Sequence, residues 1–115
     1  MKILKFGGTS VGNADAIRSV AKIVSHEKSP LVICSAMSGI TNLLLKMAGD
    51  AAEGNSIEAD FKSLEKKHFD TIRELLPAVS QNEVFISVKL LLNQLEEIVT
   101  SISNIRELSE RTKAT

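Results

Sequence analysis

Lys2-Ile3-Leu4-Lys5-Phe6-Gly7-Gly8-Thr9-Ser10 opens the chain's informative region, a short apolar run that stops at two glycines and two hydroxyl residues. Such a run, bounded by glycine, reads as a buried strand followed by a tight turn. Downstream, Ile17, Val20, Ala21 and Val24 recur at three- and four-residue spacing, the mark of a helix, with Asn13 or Asp15 placed to cap its start. Pro30 then introduces a second apolar run, Leu31-Val32-Ile33-Cys34, which ends at Ser35-Ala36-Met37-Ser38-Gly39. Strand, helix, strand is one βαβ unit, so the two strands are predicted to be parallel, joined by a right-handed crossover. Their carboxyl ends, and the polar turns after them, then emerge at the same edge of the sheet, where ligands bind in open parallel sheets.

From Ile40 onward the pattern is helical. Ile40, Leu43, Leu44 and Met47 form a stripe that runs out near Gly49 or Gly54. A second helix is predicted over 57–76, with Phe61, Leu64, His68, Ile72 and Leu75 on one face and Pro77 closing it. A third is predicted to open at Ser80-Gln81-Asn82-Glu83, a capping-box arrangement. Along it Val84, Val88, Leu91, Leu95, Ile98 and Ile102 alternate at four and three, a narrow seam suited to one partner helix. The preceding helix is the expected partner, giving an αα-hairpin. Two strands are too few for a parallel sheet covered on both faces. The expectation is therefore an α/β domain that continues beyond Thr115; a self-contained helical interaction module is the alternative.

With 115 residues, the chain has the length of one domain. Lys plus Arg and Asp plus Glu are 14 each, so bulk electrostatics recruit neither nucleic acid nor an anionic membrane. Aromatic residues make up 3%, all Phe, which argues against base-stacking platforms. The single Cys34 sits in an apolar strand and reads as a buried structural thiol in a reducing compartment. No apolar run approaches the roughly 20 residues that span a bilayer, and the start does not resemble a signal peptide, so the cytoplasm is expected.

Each residue type in the first turn has a use with phosphate. Gly7 and Gly8 let backbone N–H groups approach an anion, and the helix that follows adds partial positive charge. Lys5 supplies a mobile positive charge; Thr9 and Ser10 supply hydroxyl donors. Neither standard fingerprint is present: the lysine precedes the glycines, and Gly7, Gly8 and Gly12 lack the dinucleotide spacing. The plainer reading is a strand-to-helix turn with Lys5 extended toward solvent. In the second turn Ser35, Ser38 and Thr41 could hold a carboxylate or an amine, while Ser38 could instead simply cap a helix.

Lys5-Phe6-Gly7-Gly8-Thr9-Ser10-Val11 resembles the opening signature of aspartokinases, and Ser35-Ala36-Met37-Ser38-Gly39-Ile40-Thr41-Asn42 resembles their second segment at the expected distance. The likeness is sharp over the first 45 residues or so and one of pattern beyond them. It implies a three-layer αβα amino-acid kinase fold, of which residues 1–115 would be the N-terminal part of the catalytic domain. It implies ATP-dependent phosphorylation of the L-aspartate side chain to 4-phospho-L-aspartate, a first step toward lysine, threonine and methionine, in a cytoplasmic homo-oligomer. Lys5 then corresponds to the catalytic lysine that stabilises the transferring phosphoryl group, and Lys5 to Ser10 to the ATP side. Ser35 and Thr41 correspond to the aspartate side, with Mg²⁺ accompanying ATP. The later segments that contact aspartate, the nucleotide and Mg²⁺, and the regulatory ACT domains, have no counterpart, so residues 1–115 by themselves are expected to be inactive. A glutamate or carbamate kinase is the neighbouring alternative.

The remaining polar residues read as structure. His26 and His68 stand far apart without a ligand cluster, so no metal site is expected. Glu96-Glu97 and the group Lys62, Glu65, Lys66, Lys67 read as solvated helix faces.

Overall fold

A computed structural model describes residues 2–114, with side chains through Arg111. The order is β1 (Ile3–Phe6), α1 (Ala14–Ser25), β2 (Leu31–Cys34), α2 (Ile40–Ala52), α3 (Glu58–Leu75) and α4 (Ala78–Ala114). β1 and β2 pair in parallel, Ile3 beside Leu31 through Phe6 beside Cys34. Asn13 caps α1, its side-chain oxygen accepting from the Ala16 N–H at 2.9 Å.

The strands are not buried as their composition suggests. Alternation places Leu4, Phe6, Val32 and Cys34 on one face and Ile3, Lys5, Leu31 and Ile33 on the other. Phe6 faces α1, lining a cavity of about 290 Å³ with Ala16, Val20 and Ile23. The opposite face has no helix over it among the described residues, leaving Ile3, Leu31 and Ile33 exposed. Cys34 is likewise exposed rather than a buried thiol, because a two-stranded ribbon is too narrow to enclose the end of its second strand.

Burial is concentrated in the helices. Met47 and Leu64 are essentially inaccessible, and Ile40, Ala51, Phe61, Leu92 and Val99 complete their cluster. α2 and α3 are bridged by Lys46, whose Nζ donates to Asp50 at 2.9 Å and to Asp60 at 2.8 Å. Phe69 and Phe85 meet edge to face at 5.5 Å between α3 and α4, with the Arg73 guanidinium over the Phe85 ring. α1 packs against α3, where the Arg18 guanidinium donates to the Glu74 carbonyl.

Two details of the hairpin differ from expectation. Proline pushes its predecessor toward extended backbone, and Leu76 is extended, so α3 ends there. α4 begins at once behind Pro77, whose fixed φ suits a helix start. Ser80 therefore lies inside the first turn, its N–H bonded to the Pro77 carbonyl, and the capping box does not form. Gln81 instead donates back to the Leu76 carbonyl at 2.8 Å. The packing face of α4 is also rotated. Val88, Leu92, Leu95, Val99 and Ile102 face the core, whereas Leu91 and Ile98 point outward. α4 contacts α2 as well as α3, and Leu92 and Val99 seat between the two rather than along one partner. Among the described residues no helix is long and apolar enough to cross a membrane.

Candidate functional site

The carboxyl ends of both strands stop at one edge. The Ser35 N–H donates to the Phe6 carbonyl at 3.0 Å, extending the ladder one step past the strands and bringing the two turns side by side. The first turn folds on itself through Val11 N–H to the Gly7 carbonyl and Gly12 N–H to the Thr9 carbonyl, both 3.3 Å. Val11 and Ala14 are buried beneath it, which anchors the turn to the start of α1.

Ser38 joins the turns. Its hydroxyl donates to the Gly8 carbonyl at 3.2 Å, across 30 residues of chain. It does not cap α2: the cap position belongs to Gly39, at φ 81°, with no side-chain bond to the helix. A β-carbon on Gly12 would stand 2.6 Å from the Ser38 Oγ and 3.2 Å from the Gly8 carbonyl oxygen. A β-carbon on Gly8 would lie 3.6 Å from both the Ser35 Oγ and the Ala36 carbonyl oxygen, in ordinary contact. Gly7 has open space around it, so its backbone can be approached from solvent.

A third element reaches the first turn. Lys67, on α3, donates through Nζ to the Gly12 carbonyl at 3.1 Å and is half-buried. The solvated-face reading is therefore incorrect for Lys67. It suits Lys62 and Lys66, which pair one turn away with Glu58 and Asp70. Glu65 reaches across to Lys89 on α4. Periodicity gives no sign of the Lys67 contact, because its acceptor lies 55 residues away.

The residues singled out from the sequence are distributed as follows. Lys5, Gly7, Thr9, Ser10 and Ser35 are exposed at the strand ends and turns, and Gly8 is half-buried between the turns. Among the described residues Lys5 has no carboxylate partner, so its charge is not neutralised. Phe6 and Ser10 also line the cavity against α1. Thr41 is exposed on the first turn of α2, near the second turn in sequence. His68 bonds the Leu64 carbonyl through Nδ1 at 2.8 Å within α3, and His26 ends α1. Among the described residues no three His, Cys, Asp or Glu side chains come together as a metal cluster.

An exposed lysine, open glycine backbone and several hydroxyls at paired strand ends can together bind an anion and orient a second polar ligand beside it. The model of the amino acid kinase family matches residues 1–109. The chloroplastic aspartokinase 1 of Arabidopsis thaliana is 33% identical over 120 residues, covering 96% of this chain and 20% of that protein. A Haemophilus influenzae relative whose name marks it as an inactive aspartokinase is 38% identical over 81 residues, covering 64% of this chain and 66% of that protein. Among solved structures, Escherichia coli aspartokinase III in complex with aspartate and ADP aligns with a TM-score of 0.73 and 26% identity, over 90% of this chain and 23% of that one. The chain thus spans about a fifth of the length of the Arabidopsis relative it matches along nearly all of its own.

Proposed function

The chain belongs to the amino acid kinase family, and from that membership we propose that it supplies the phosphoryl-clamping turn and part of the acceptor pocket of an ATP-dependent aspartate kinase. The observation that carries this reading is the Ser38 to Gly8 bond, which holds a glycine turn beside Lys5 against a second turn bearing Ser35. Aspartokinase relatives support aspartate as acceptor over glutamate or carbamate.

In the proposed reaction an oxygen of the aspartate side-chain carboxylate attacks the γ-phosphorus of ATP in line. The bond from that phosphorus to the β,γ-bridging oxygen breaks, giving 4-phospho-L-aspartate and ADP. Lys5 lies at the end of β1, where its charge can follow the phosphoryl oxygens as negative charge moves from acceptor to leaving group. Backbone N–H groups around Gly7 and Gly8 bind phosphate oxygens, and Ser35 and Thr41 orient the acceptor. Mg²⁺, implied beside ATP by the family resemblance, finds no fitting ligand set here. The turns themselves bear no carboxylate, and Asp15, next along the chain, is paired with Arg18 at 2.6 Å. No step is derived through the metal.

The test is Lys5→Met in a full-length enzyme carrying this segment. A hydroxamate assay should show kcat lower by roughly two to four orders of magnitude with little change in KM. Unchanged kcat would reduce Lys5 to a structural residue. Thr41→Ala should raise KM for aspartate, and an effect confined to ATP would refute the division of roles between the turns. Residues 1–115 alone should give no turnover.

A further inference from the structure

The glycine turn after β1 holds itself together poorly. Its internal bonds, Val11 N–H to the Gly7 carbonyl and Gly12 N–H to the Thr9 carbonyl, are both 3.3 Å. A well-formed N–H···O bond is shorter, roughly 2.7–3.2 Å. Gly7, Gly8 and Gly12 also leave the backbone many alternative conformations. The turn therefore relies on ties from outside. Among them are the Ser38 hydroxyl on the Gly8 carbonyl and the Lys67 ammonium on the Gly12 carbonyl, at 3.1 Å. Ser38 belongs to the second turn, whereas Lys67 belongs to the helical bundle.

The bundle fixes the position of Lys67. Leu64, one helical turn earlier on the same side of α3, is essentially inaccessible, and Phe61 is buried with it in the cluster that joins α2, α3 and α4. Neighbouring lysines answer carboxylates: Lys62 pairs with Glu58 and Lys66 with Asp70. Lys67 is half-buried and has no carboxylate within ion-pair distance among the described residues. A neutral donor would suffice for a purely structural tie, and a partly buried charge without a counter-charge is unfavourable. The charge suits a turn that receives an anion. Lys5 and Lys67 bring uncompensated positive charge to the two ends of one turn, which favours a polyphosphate there.

On the aspartate kinase reading, we propose that Lys67 is a positioning residue for phosphoryl transfer. By holding the Gly12 carbonyl it keeps the turn in the form whose backbone N–H groups, around Gly7 and Gly8, receive the ATP phosphates. Lys67 touches no reacting atom and acts through the turn; its role depends on that reading. The bundle then serves the site as well as the core, because packing around Leu64 sets where the turn is held. The turn binds phosphate in ground and transition states alike. Loosening it should raise KM for ATP and spare KM for aspartate, which the second turn orients.

Kinetics of Lys67→Met in a full-length enzyme carrying this segment test the role. KM for ATP should rise about three- to tenfold, the scale of one hydrogen bond, with KM for aspartate unchanged. Lys67→Arg should restore most of the ATP affinity, and Lys66→Met, which removes a neighbouring charge, should change neither KM. Lys67→Gln keeps a polar side chain that is too short for the carbonyl. It should reproduce the ATP effect, so the outcome does not hinge on the folding of the methionine variant. A fall in kcat with both KM values unchanged would mean fewer folded molecules and overturns the positioning role. An equal rise for ATP and aspartate, or an unchanged enzyme, overturns it too. Lys5→Met separates this role from the reading beneath it. If Lys5→Met lowers kcat while Lys67→Met is silent, the positioning role alone fails; if Lys5→Met leaves kcat unchanged, the phosphoryl clamp fails and the role of Lys67 with it.

Discussion

Ser38 and Gly12 are fitted to each other: the serine Oγ occupies the space in which a β-carbon on Gly12 would stand 2.6 Å away. The same hydroxyl holds the Gly8 carbonyl, so the glycine lets the two turns approach and the serine keeps them together. Gly12→Ala should therefore destabilise the fold by about 1–3 kcal/mol, the usual range for overpacking, since two backbone oxygens also crowd the added carbon. Ser38→Ala should restore part of that loss in the double variant, and additive losses in thermal melts would show that the pair is not coupled.

Lys67 tethers α3 to the same turn through the Gly12 carbonyl. Lys67→Met should cost about 1 kcal/mol, a single hydrogen bond at a half-buried position. Hydrogen exchange should speed up at the amides of 7–12 more than in the bundle, and Lys67→Arg should recover part of the protection. Equal acceleration throughout would mean the contact is not a local tether.

Met47 and Leu64 are fully enclosed where three helices meet. Met47→Ala should destabilise by about 2–5 kcal/mol through lost transfer energy and the cavity left behind, whereas Leu45→Ala on the exposed side of α2 should change little. Urea midpoints would separate the two, and a small loss for Met47→Ala would place the core elsewhere.

Ion pairs on the helices contribute to the pH dependence of stability. The hydrogen bond from Lys46 holds the Asp50 carboxyl below its ordinary 3.8, and that from Lys66 does the same for Asp70. A lowered carboxyl stabilises the fold above the unfolded value near 3.8, and that contribution is lost as pH falls through the lower folded value. Lys46 is raised above 10.5, first by its hydrogen bond to Asp60 and then by that to Asp50. Its contribution is present below 10.5 and lost as pH rises beyond it. Lys46→Met should flatten both limbs of a stability–pH curve, and Lys66→Met the acid limb alone.

Sequence patterns locate the paired strands, all four helices and the two turns, because each depends on short-range periodicity or on glycine and proline punctuation. What they miss depends on long-range contacts. Apolar strands foretell burial, but burial needs neighbours, and Ile3, Leu31, Ile33 and Cys34 have too few. The inner and outer seams of α4 interleave along one helix, so Val88, Leu91, Leu95 and Ile98 read as a single stripe until two partners fix the rotation. At Ser80 a local capping signal lost to Pro77, three residues earlier. The tether from Lys67 leaves no mark in periodicity, since a lysine bonded to a distant carbonyl looks like any other on a helix.

The uneven distribution of the core has a consequence for the order in which the molecule comes apart. Met47 and Leu64 tie the helices into one cooperative unit, while the two strands and their turns rest on four-residue ladders, α1 and a few polar ties. Opening the turns should then require less free energy than global unfolding, and they would form a separate unit that opens and recloses while the bundle persists. Ligand binding at these strand ends would stabilise the part of the chain most inclined to open.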